Sequence, residues 1–172
     1  MRVLWLVTAV AAAPGMFTLK QAVKVPGWPS LPFPFSEGLL SCMSCAPGPA
    51  PQGSWLPCAL KISGNQGFDF NANPPGLVPG GISNQTLYAL NNIREITRAA
   101  KASMDDITSC TVWLANIQDF EDMNSVYKTF FSQPYPTRAA AGGYALAGKG
   151  ALVEISCEAV APCPYKDSGI VE

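Results

Sequence analysis

The chain has 172 residues, a length that suits one ordinary domain with additional sequence at its ends. Its hydrophobic content of 48% is enough to build a core, so the composition excludes an intrinsically disordered protein. The formal net charge of -1 gives no basic surface for nucleic acid, and none is predicted as a partner.

The sequence contains no histidine. This excludes the most common general base, every Ser-His or Cys-His nucleophile pair and most catalytic zinc sites. Glycine motifs of the Walker or dinucleotide-binding type are also missing from the sequence. Any catalysis must therefore use carboxylates, Cys, Lys, Arg, backbone groups or water, and no metal site is predicted.

The segment Met1–Ala13 has the form of a secretory signal peptide, with one arginine, an apolar run and then small residues. The run is too short to span a membrane, so no membrane association is predicted for the mature form. The alternative is that Met16 is the true first residue. Residues 1–16 are therefore interpreted either as a targeting segment for the secretory pathway or an organelle, or as sequence before the real start.

Six cysteines are present, but their arrangement does not favour a disulfide scaffold in a domain of this size. Cys110 and Cys157 lie in apolar, strand-like segments and are interpreted as small buried hydrophobic side chains. The stretch 39–58 holds three more cysteines and is rich in Pro and Gly. It lacks the partners that a four-ligand metal site needs. We expect 39–58 to be a poorly ordered, dispensable insertion.

From residue 59 onward the predicted elements are regular. CALKISG is a short alternating strand that ends at Gly64, and the turn-rich residues 70–81 form a loop. Residues 82–102 form an amphipathic helix for which Ser83 or Asn84 can serve as the cap. The apolar positions of this helix are Leu87, Leu90, Ile93, Ile96 and Ala100.

ITSCTVWLANI follows as a strand, and DFEDMNSVYKTFF is a second amphipathic helix with Asp119 as its cap. Two prolines end this helix. AAAGGYAL and ALVEISCEAVA are then predicted as a hairpin around Ala147–Gly150. The order β, α, β, α, β, β indicates an α+β fold with both helices on one face of the sheet. The other face, which includes Trp113, is apolar enough to favour self-association.

Arg138 directly follows a Pro-Tyr-Pro corner and precedes a small, apolar, glycine-rich segment. A guanidinium is always charged and is rarely found against such residues without a partner. Arg138 is therefore either a surface side chain that extends its charge into water or the binding group for an anion.

Several ordered motifs carry a family resemblance: PFPFSEG, ISGNQGFDF, LVPGGI, the segment 91–131, PTRAAA and KGALVEI. Together they resemble the RidA (YjgF-like) family of reactive intermediate deaminases over residues 23–161, interrupted by the cysteine-bearing segment. The resemblance implies a chorismate-mutase-like α+β fold, a mixed sheet with two helices on one face, assembled as a homotrimer with active sites between subunits. It implies hydrolysis of 2-imino acids, such as 2-iminobutanoate and 2-iminopropanoate, to 2-oxo acids and ammonia without a cofactor. A cytoplasmic or mitochondrial location is also implied.

The resemblance also assigns roles to four residues. Arg138 corresponds to the arginine that holds the substrate carboxylate, and Glu154 to the glutamate that positions or activates water. Asn124 corresponds to a site asparagine, and Gly64 to a backbone donor near the carboxylate. The planar fork of an arginine matches a carboxylate with two hydrogen bonds, which supports the first assignment.

The sequence departs from the family pattern at two further substrate-binding positions. Phe35 stands where many members have a tyrosine, so a hydroxyl is missing, and Ala140 stands where some have a cysteine. The Arg138-to-Glu154 segment is also longer than usual, and the predicted hairpin register leaves the two residues well apart in one subunit. A subunit interface would bring them together. The substitution at Phe35 keeps a second function open, a non-catalytic trimer that binds small carboxylates.

The predicted domain organisation places the N-terminal part of the RidA-like domain at 17–38, the insertion at 39–58, the domain core at 59–162 and a tail at 163–172. An endoribonuclease is the least favoured function, because RNA cleavage usually requires histidine or metal and a basic groove.

Overall fold

The computed structural model describes residues 8–11, 16–29, 36–45 and 57–162. The main sheet has the strand order β1-β2-β3-β4-β9-β7-β8, and β5 and β6 form a separate two-stranded ladder. The elements are β1 (Thr8–Ala11), β2 (Met16–Val23), β3 (Gly38–Cys45), β4 (Pro57–Gln66), β5 (Phe68–Asp69), β6 (Gly76–Leu77), α1 (Gly81–Ala99), β7 (Ile107–Leu114), α2 (Phe120–Tyr127), β8 (Thr137–Gly142) and β9 (Val153–Pro162). The predicted α+β class with two helices and a mixed sheet is confirmed.

The sheet is mixed because β8 runs parallel to β7, whereas β9 pairs antiparallel with both β4 and β7. The predicted hairpin around Ala147–Gly150 is therefore wrong, since β7 lies between β8 and β9. The physical reason is the helix: α2 carries the chain back so that β8 joins the free edge of β7 as a β-α-β unit. The turn-like residues after β8 then lead the chain across to the other side of β7.

The helix α1 packs its apolar stripe on the sheet. Leu90, Ile93 and Ile96 are buried against strand residues such as Leu60 and Val112, as their helical spacing predicts. Another residue of the predicted stripe, Leu87, instead remains 39% exposed. Both described helices thus bury one face of the sheet.

The start of α1 differs from the prediction. The cap is Gly80, with a φ of 98°, and not Ser83 or Asn84, which lie inside the first turns. A left-handed backbone at this position favours glycine. Asn84 donates a hydrogen bond from Nδ2 to the carbonyl of Pro79, so its side chain holds the preceding turn instead.

The prediction of a poorly ordered insertion at 39–58 is wrong for its first part and for its last two residues, Pro57 and Cys58. Leu39–Cys45 belong to β3, which pairs with β2 and β4, and Cys58 lies in β4. Leu40 is buried in the core, so this strand contributes apolar surface that the Pro/Gly content of the segment concealed. Residues 46–56 lie outside the described residues. Most of residues 1–16 also lie outside the described residues. Within that range, Thr8–Ala11 form the edge strand β1, which pairs with β2.

Two disulfides join neighbouring strands. Cys42 of β3 is bonded to Cys58 of β4, and Cys110 of β7 is bonded to its register partner Cys157 of β9. All four are buried, as predicted for Cys110 and Cys157, but the expectation that the cysteines form no scaffold is wrong. The pairing depends on which strands are neighbours and in which register, and spacing along the chain does not contain that information.

The face of the sheet opposite the helices, here the open face, is less apolar than predicted. Trp113 lies there half-buried and Val160 is 47% exposed, but the face also carries an ion pair of 2.9 Å between Lys61 Nζ and Glu158 Oε1. Aromatic residues are enriched and Lys and Glu depleted where protein chains meet, so Trp113 favours such a contact whereas the Lys61–Glu158 pair does not.

We predict that the double variant Cys42→Ala/Cys58→Ala loses about 3 kcal/mol of unfolding free energy, because its parent disulfide closes a loop of moderate length. Denaturant unfolding without reductant measures this loss. In excess dithiothreitol the parent and the variant should be much closer in stability. Alkylation of the unfolded, unreduced parent should leave Cys42, Cys58, Cys110 and Cys157 unlabelled, and labelling of these four would contradict the disulfides.

Candidate active site

Arg138 lies near the start of β8, the edge strand, in register with Cys110 of β7. Because Cys110 is buried under the helices, Arg138 projects from the same face of the sheet, towards α2. Its guanidinium carbon lies 4.5 Å from the ring centroid of Tyr127 and 5.6 Å from that of Phe120. Arg138 Nη1 donates a 2.8 Å hydrogen bond to Asn124 Oδ1.

The helix α2 presents the three partners of the arginine together. Phe120, Asn124 and Tyr127 are spaced i, i+4 and i+7, so they share one helical face. A short 3₁₀ turn, Ile117–Asp119, precedes the helix. Asp119 holds the predicted cap position, although its side chain makes no capping hydrogen bond.

Within the described residues, no carboxylate neutralises the charge of Arg138. The two ion pairs found there are Lys61–Glu158 and Arg98–Glu95. The aromatic faces favour a cation electrostatically but leave most of the N–H fork without an acceptor. Burial raises the pKa of Tyr127 to about 12, and the Arg138 charge opposes that shift more weakly. The Tyr127 hydroxyl is buried and has no hydrogen-bond partner in the described part of the chain, so a neutral phenol lies beside the guanidinium.

Glu154 and Gly64 form a second cluster on β9 and β4. Glu154 Oε2 accepts a 2.7 Å hydrogen bond from Gln66 Nε2, its register partner. A Cβ added at Gly64 would overlap Glu154 Oε1 and would lie 2.9 Å from Glu154 Cδ. Only glycine therefore lets the carboxylate lie so close to this backbone. The strand does not end at Gly64 as predicted but has an irregularity between Ile62 and Asn65 and continues to Gln66.

The two clusters are separate in one chain. Arg138 is level with Cys157 of β9 and faces α2. Glu154 lies between the buried residues Val153 and Ile155 along β9, so its side chain is on the open face. The strand β7 also lies between them. The predicted separation of Arg138 and Glu154 within one subunit is thus observed, although it arises from the intervening strand and not from a hairpin register.

Of the two remaining predicted site residues, the structure describes Ala140 but not Phe35. Ala140 is half-buried on the helix-facing side of β8 and packs against the core, where it offers only apolar contact. Phe35 lies outside the described residues. The carbonyl of the next residue, Ser36, accepts a 2.6 Å hydrogen bond from Oγ of Ser63, the residue directly before Gly64. The segment that follows Phe35 in sequence is therefore held next to the Gly64 cluster.

Three residues of these clusters were missed as site residues from the sequence. Phe120 and Tyr127 fall within the second predicted amphipathic helix, and their spacing around Asn124 is a signal that an aromatic surface flanks the asparagine. Gln66 carried no comparable signal. Its contact with Glu154 depends on the register of β4 against β9 beyond the irregularity.

Glu37 fixes the chain beside the second cluster. Its Oε2 accepts a 2.6 Å hydrogen bond from the backbone nitrogen of Val25, and its carbonyl accepts from the nitrogen of Ser63. Burial raises the pKa of Glu37 above its ordinary value, while the Val25 N–H and the charge of Lys24 oppose that shift. The carboxylate thus costs some folding free energy when it is ionised.

Within the part of the chain that the structure describes, no cluster of three or more His, Cys, Asp or Glu residues could hold a metal ion. None of the described helices is long and apolar enough to cross a membrane.

Comparison with known proteins identifies relatives of the whole domain. The family model for endoribonuclease L-PSP matches residues 57–161. A 2-iminobutanoate/2-iminopropanoate deaminase of Bos taurus is 41% identical over 113 residues, covering 66% of this chain and 80% of that protein. Protein mmf2, mitochondrial, of Schizosaccharomyces pombe is 39% identical over 82 residues, covering 46% of this chain and 65% of its own. The crystal structure of E. coli TdcF with bound serine has a TM-score of 0.63 at 26% identity, covering 81% of this chain and 98% of TdcF.

We predict that Glu37→Gln raises the unfolding free energy at neutral pH. The folded-state pKa is raised, so the parent loses stability as pH rises through that pKa, whereas the amide has no charge to bury and still accepts from Val25. The difference between variant and parent should shrink as pH falls below the ordinary value of 4.5. Denaturant titrations across this range measure it. A difference that grows on acidification would contradict the assignment.

Proposed function

Because the chain belongs to the endoribonuclease L-PSP family, which includes the RidA-like proteins that its motifs resemble, we propose that it hydrolyses reactive 2-imino acids to 2-oxo acids and ammonia. The relatives that carry the deaminase name support this reaction class, and 2-iminobutanoate and 2-iminopropanoate are the proposed substrates. The residues require no cofactor for it, since the reaction is an addition of water followed by loss of ammonia.

The observation that carries the proposal is the unneutralised guanidinium of Arg138. It is oriented by Asn124 and by two aromatic rings, and most of its N–H fork has no acceptor among the described residues. A substrate carboxylate supplies two parallel acceptors and one negative charge, which match that fork. In this arrangement Asn124 acts as a positioning residue, because its Oδ1 is occupied by Arg138.

Glu154 is the proposed group for the water step. Its carboxylate is held by Gln66 and lies against the backbone of Gly64. Water adds to the imine carbon while Glu154 accepts one of its protons, and the C=N electron pair moves to nitrogen. Glu154 returns this proton to the nitrogen, which gives the neutral carbinolamine. Transfer of the hydroxyl proton to the same nitrogen then lets the C=O bond of the 2-oxo acid form as the C–N bond breaks, and ammonia leaves with both protons of the water.

The site requires a second copy of the chain, because one chain holds Arg138 and Glu154 on opposite faces of the sheet. We propose a homotrimer with the open faces inward. Exposed apolar side chains near β8 support such an interface: Ile117 is 49%, Tyr135 58% and Tyr144 47% exposed. The Arg138 of one copy would then meet the Glu154 of its neighbour.

The alternative function is a trimer that binds small carboxylates without turnover. The bound serine of E. coli TdcF supports carboxylate binding by a related protein, and either function would use Arg138. The family name also includes ribonuclease activity, but a chain without histidine and with a net charge of -1 offers little for RNA cleavage. For location, the mitochondrial name of mmf2 supports an organelle.

We predict that Arg138→Lys lowers kcat/KM for 2-iminobutanoate, with a loss of about 2–4 kcal/mol in transition-state binding. The lysine ammonium keeps the charge but cannot make the two parallel hydrogen bonds of a guanidinium. Ammonia release from freshly generated substrate measures the rate. The matched control is Arg98→Lys, since Arg98 is exposed and already pairs with Glu95. If Arg138→Lys deaminates at the parent rate, Arg138 is structural and the proposal fails.

Glu154→Gln should lower kcat strongly while changing KM much less, because the amide keeps the shape of the side chain but accepts no proton. The same assay measures both constants. An unchanged kcat would show that Glu154 takes no part in the water step.

If the parent chain binds 2-oxobutanoate but releases no ammonia, the non-catalytic alternative is the correct one.

The homotrimer should appear in sedimentation equilibrium as a species of about three times the monomer mass. A clean monomer at micromolar concentration would contradict both the assembly and the shared site.

A further inference from the structure

A second arginine occupies a groove outside the proposed active site. The groove has a volume of about 540 Å³ and lies between α1 and the chain that follows α2. Ligand pockets for small molecules measure roughly 300–1,000 Å³, so this volume is sufficient for one. The lining residues are Leu87, Asn91, Arg94, Met104, Thr129 and Phe130, and none of them belongs to the two clusters of the proposed active site.

Arg94 repeats the arrangement of Arg138. Its guanidinium carbon lies 5.6 Å from the ring centroid of Phe130, and Nη2 donates a 2.6 Å hydrogen bond to Asn91 Oδ1. The Nε–H of Arg94 is buried and has no hydrogen-bond partner among the described residues. The Nε–H is closed off from the groove, whereas Arg94 Nη1 donates no hydrogen bond to any of the described residues. Nη1 is therefore the group that a ligand could pair with.

The charge at this position is also unneutralised. Neither ion pair within the described ranges includes Arg94, whereas Arg98 on the same helix pairs with Glu95 at 2.8 Å. The groove wall beside the guanidinium is apolar, since Leu87, Met104 and Phe130 contribute to it and Leu87 is 39% exposed. A charged group next to an exposed apolar wall matches a ligand that has one anionic end and one apolar end.

We propose that this groove binds a small monocarboxylate with an aromatic or branched aliphatic body. The carboxylate accepts a hydrogen bond from Arg94 Nη1, and the body packs on Leu87, Met104 and Phe130. The inference does not depend on the imine chemistry, because no residue of the groove takes part in the proposed reaction. It adds a second carboxylate site on the helix layer of each subunit.

Phenylacetate is the probe for the experiment, which measures its affinity by ligand-observed saturation-transfer NMR. The full chain carries Arg138→Lys in every sample, so that the proposed active site contributes little to the signal. Arg94→Gln is then added to remove the charge. Asn91→Asp is a second variant that keeps the local shape but gives Arg94 an internal carboxylate. The matched control is Arg98→Gln, and phenylacetamide is the neutral control ligand.

We expect phenylacetate to bind, and each of Arg94→Gln and Asn91→Asp to weaken its affinity roughly tenfold or more. Arg98→Gln should leave the affinity unchanged, and phenylacetamide should bind as weakly as phenylacetate binds to Arg94→Gln. If thermal unfolding shows that the Arg94→Gln variant is not folded, the Asn91→Asp variant decides the result. No saturation transfer in the starting chain, or an affinity that neither variant changes, would overturn the proposal. Deaminase activity is not measured, so failure here leaves the proposed function untouched.

Discussion

Among the described residues, Arg138 is held by an amide oxygen and two aromatic rings and not by a counter-charge, and the chemistry proposed for this fold depends on that difference. A carboxylate partner would neutralise the guanidinium and occupy its fork. The Asn124 oxygen takes one N–H group, while Tyr127 and Phe120 support the cation from their faces. Tyr127 is a neutral phenol at physiological pH, and burial raises its pKa further, to about 12, so it does not act as a competing anion. The guanidinium is therefore fixed in position and remains able to bind an anion.

The order of strands β9-β7-β8 determines where such an anion can react. The parallel pairing of β8 with β7 places Arg138 over α2, and the alternation of β9 places Glu154 on the open face. In the proposed reaction, the Arg138 and Glu154 of one chain would therefore not meet on one small substrate. Assembly would unite the two functions, and the exposed aromatic residues beside β8 provide a surface for it. The disulfide Cys110–Cys157 stiffens this part of the sheet, since it joins the two strands behind the arginine.

Local sequence predicted the elements well and their pairing poorly. The spacing of Leu90, Ile93 and Ile96 was sufficient for α1, because a helical stripe depends only on neighbours along the chain. The hairpin at Ala147–Gly150 failed because turn residues indicate where a chain bends and not which strand it joins. The roles of Arg138, Asn124, Gly64 and Glu154 came from the family resemblance. Gln66 could not be found, since its contact with Glu154 requires the register of two distant strands.

The central claim is that each site takes Arg138 from one subunit and Glu154 from another, and mixing two inactive variants tests it most directly. Arg138→Lys and Glu154→Gln chains are unfolded together, refolded at equal amounts and assayed for ammonia release from 2-iminobutanoate. Random assembly into shared sites predicts recovery of roughly a quarter of the parent activity, because some interfaces pair an intact arginine with an intact glutamate. Activity no higher than the average of the two separate variants would contradict the shared site, provided that mass spectrometry confirms mixed assemblies.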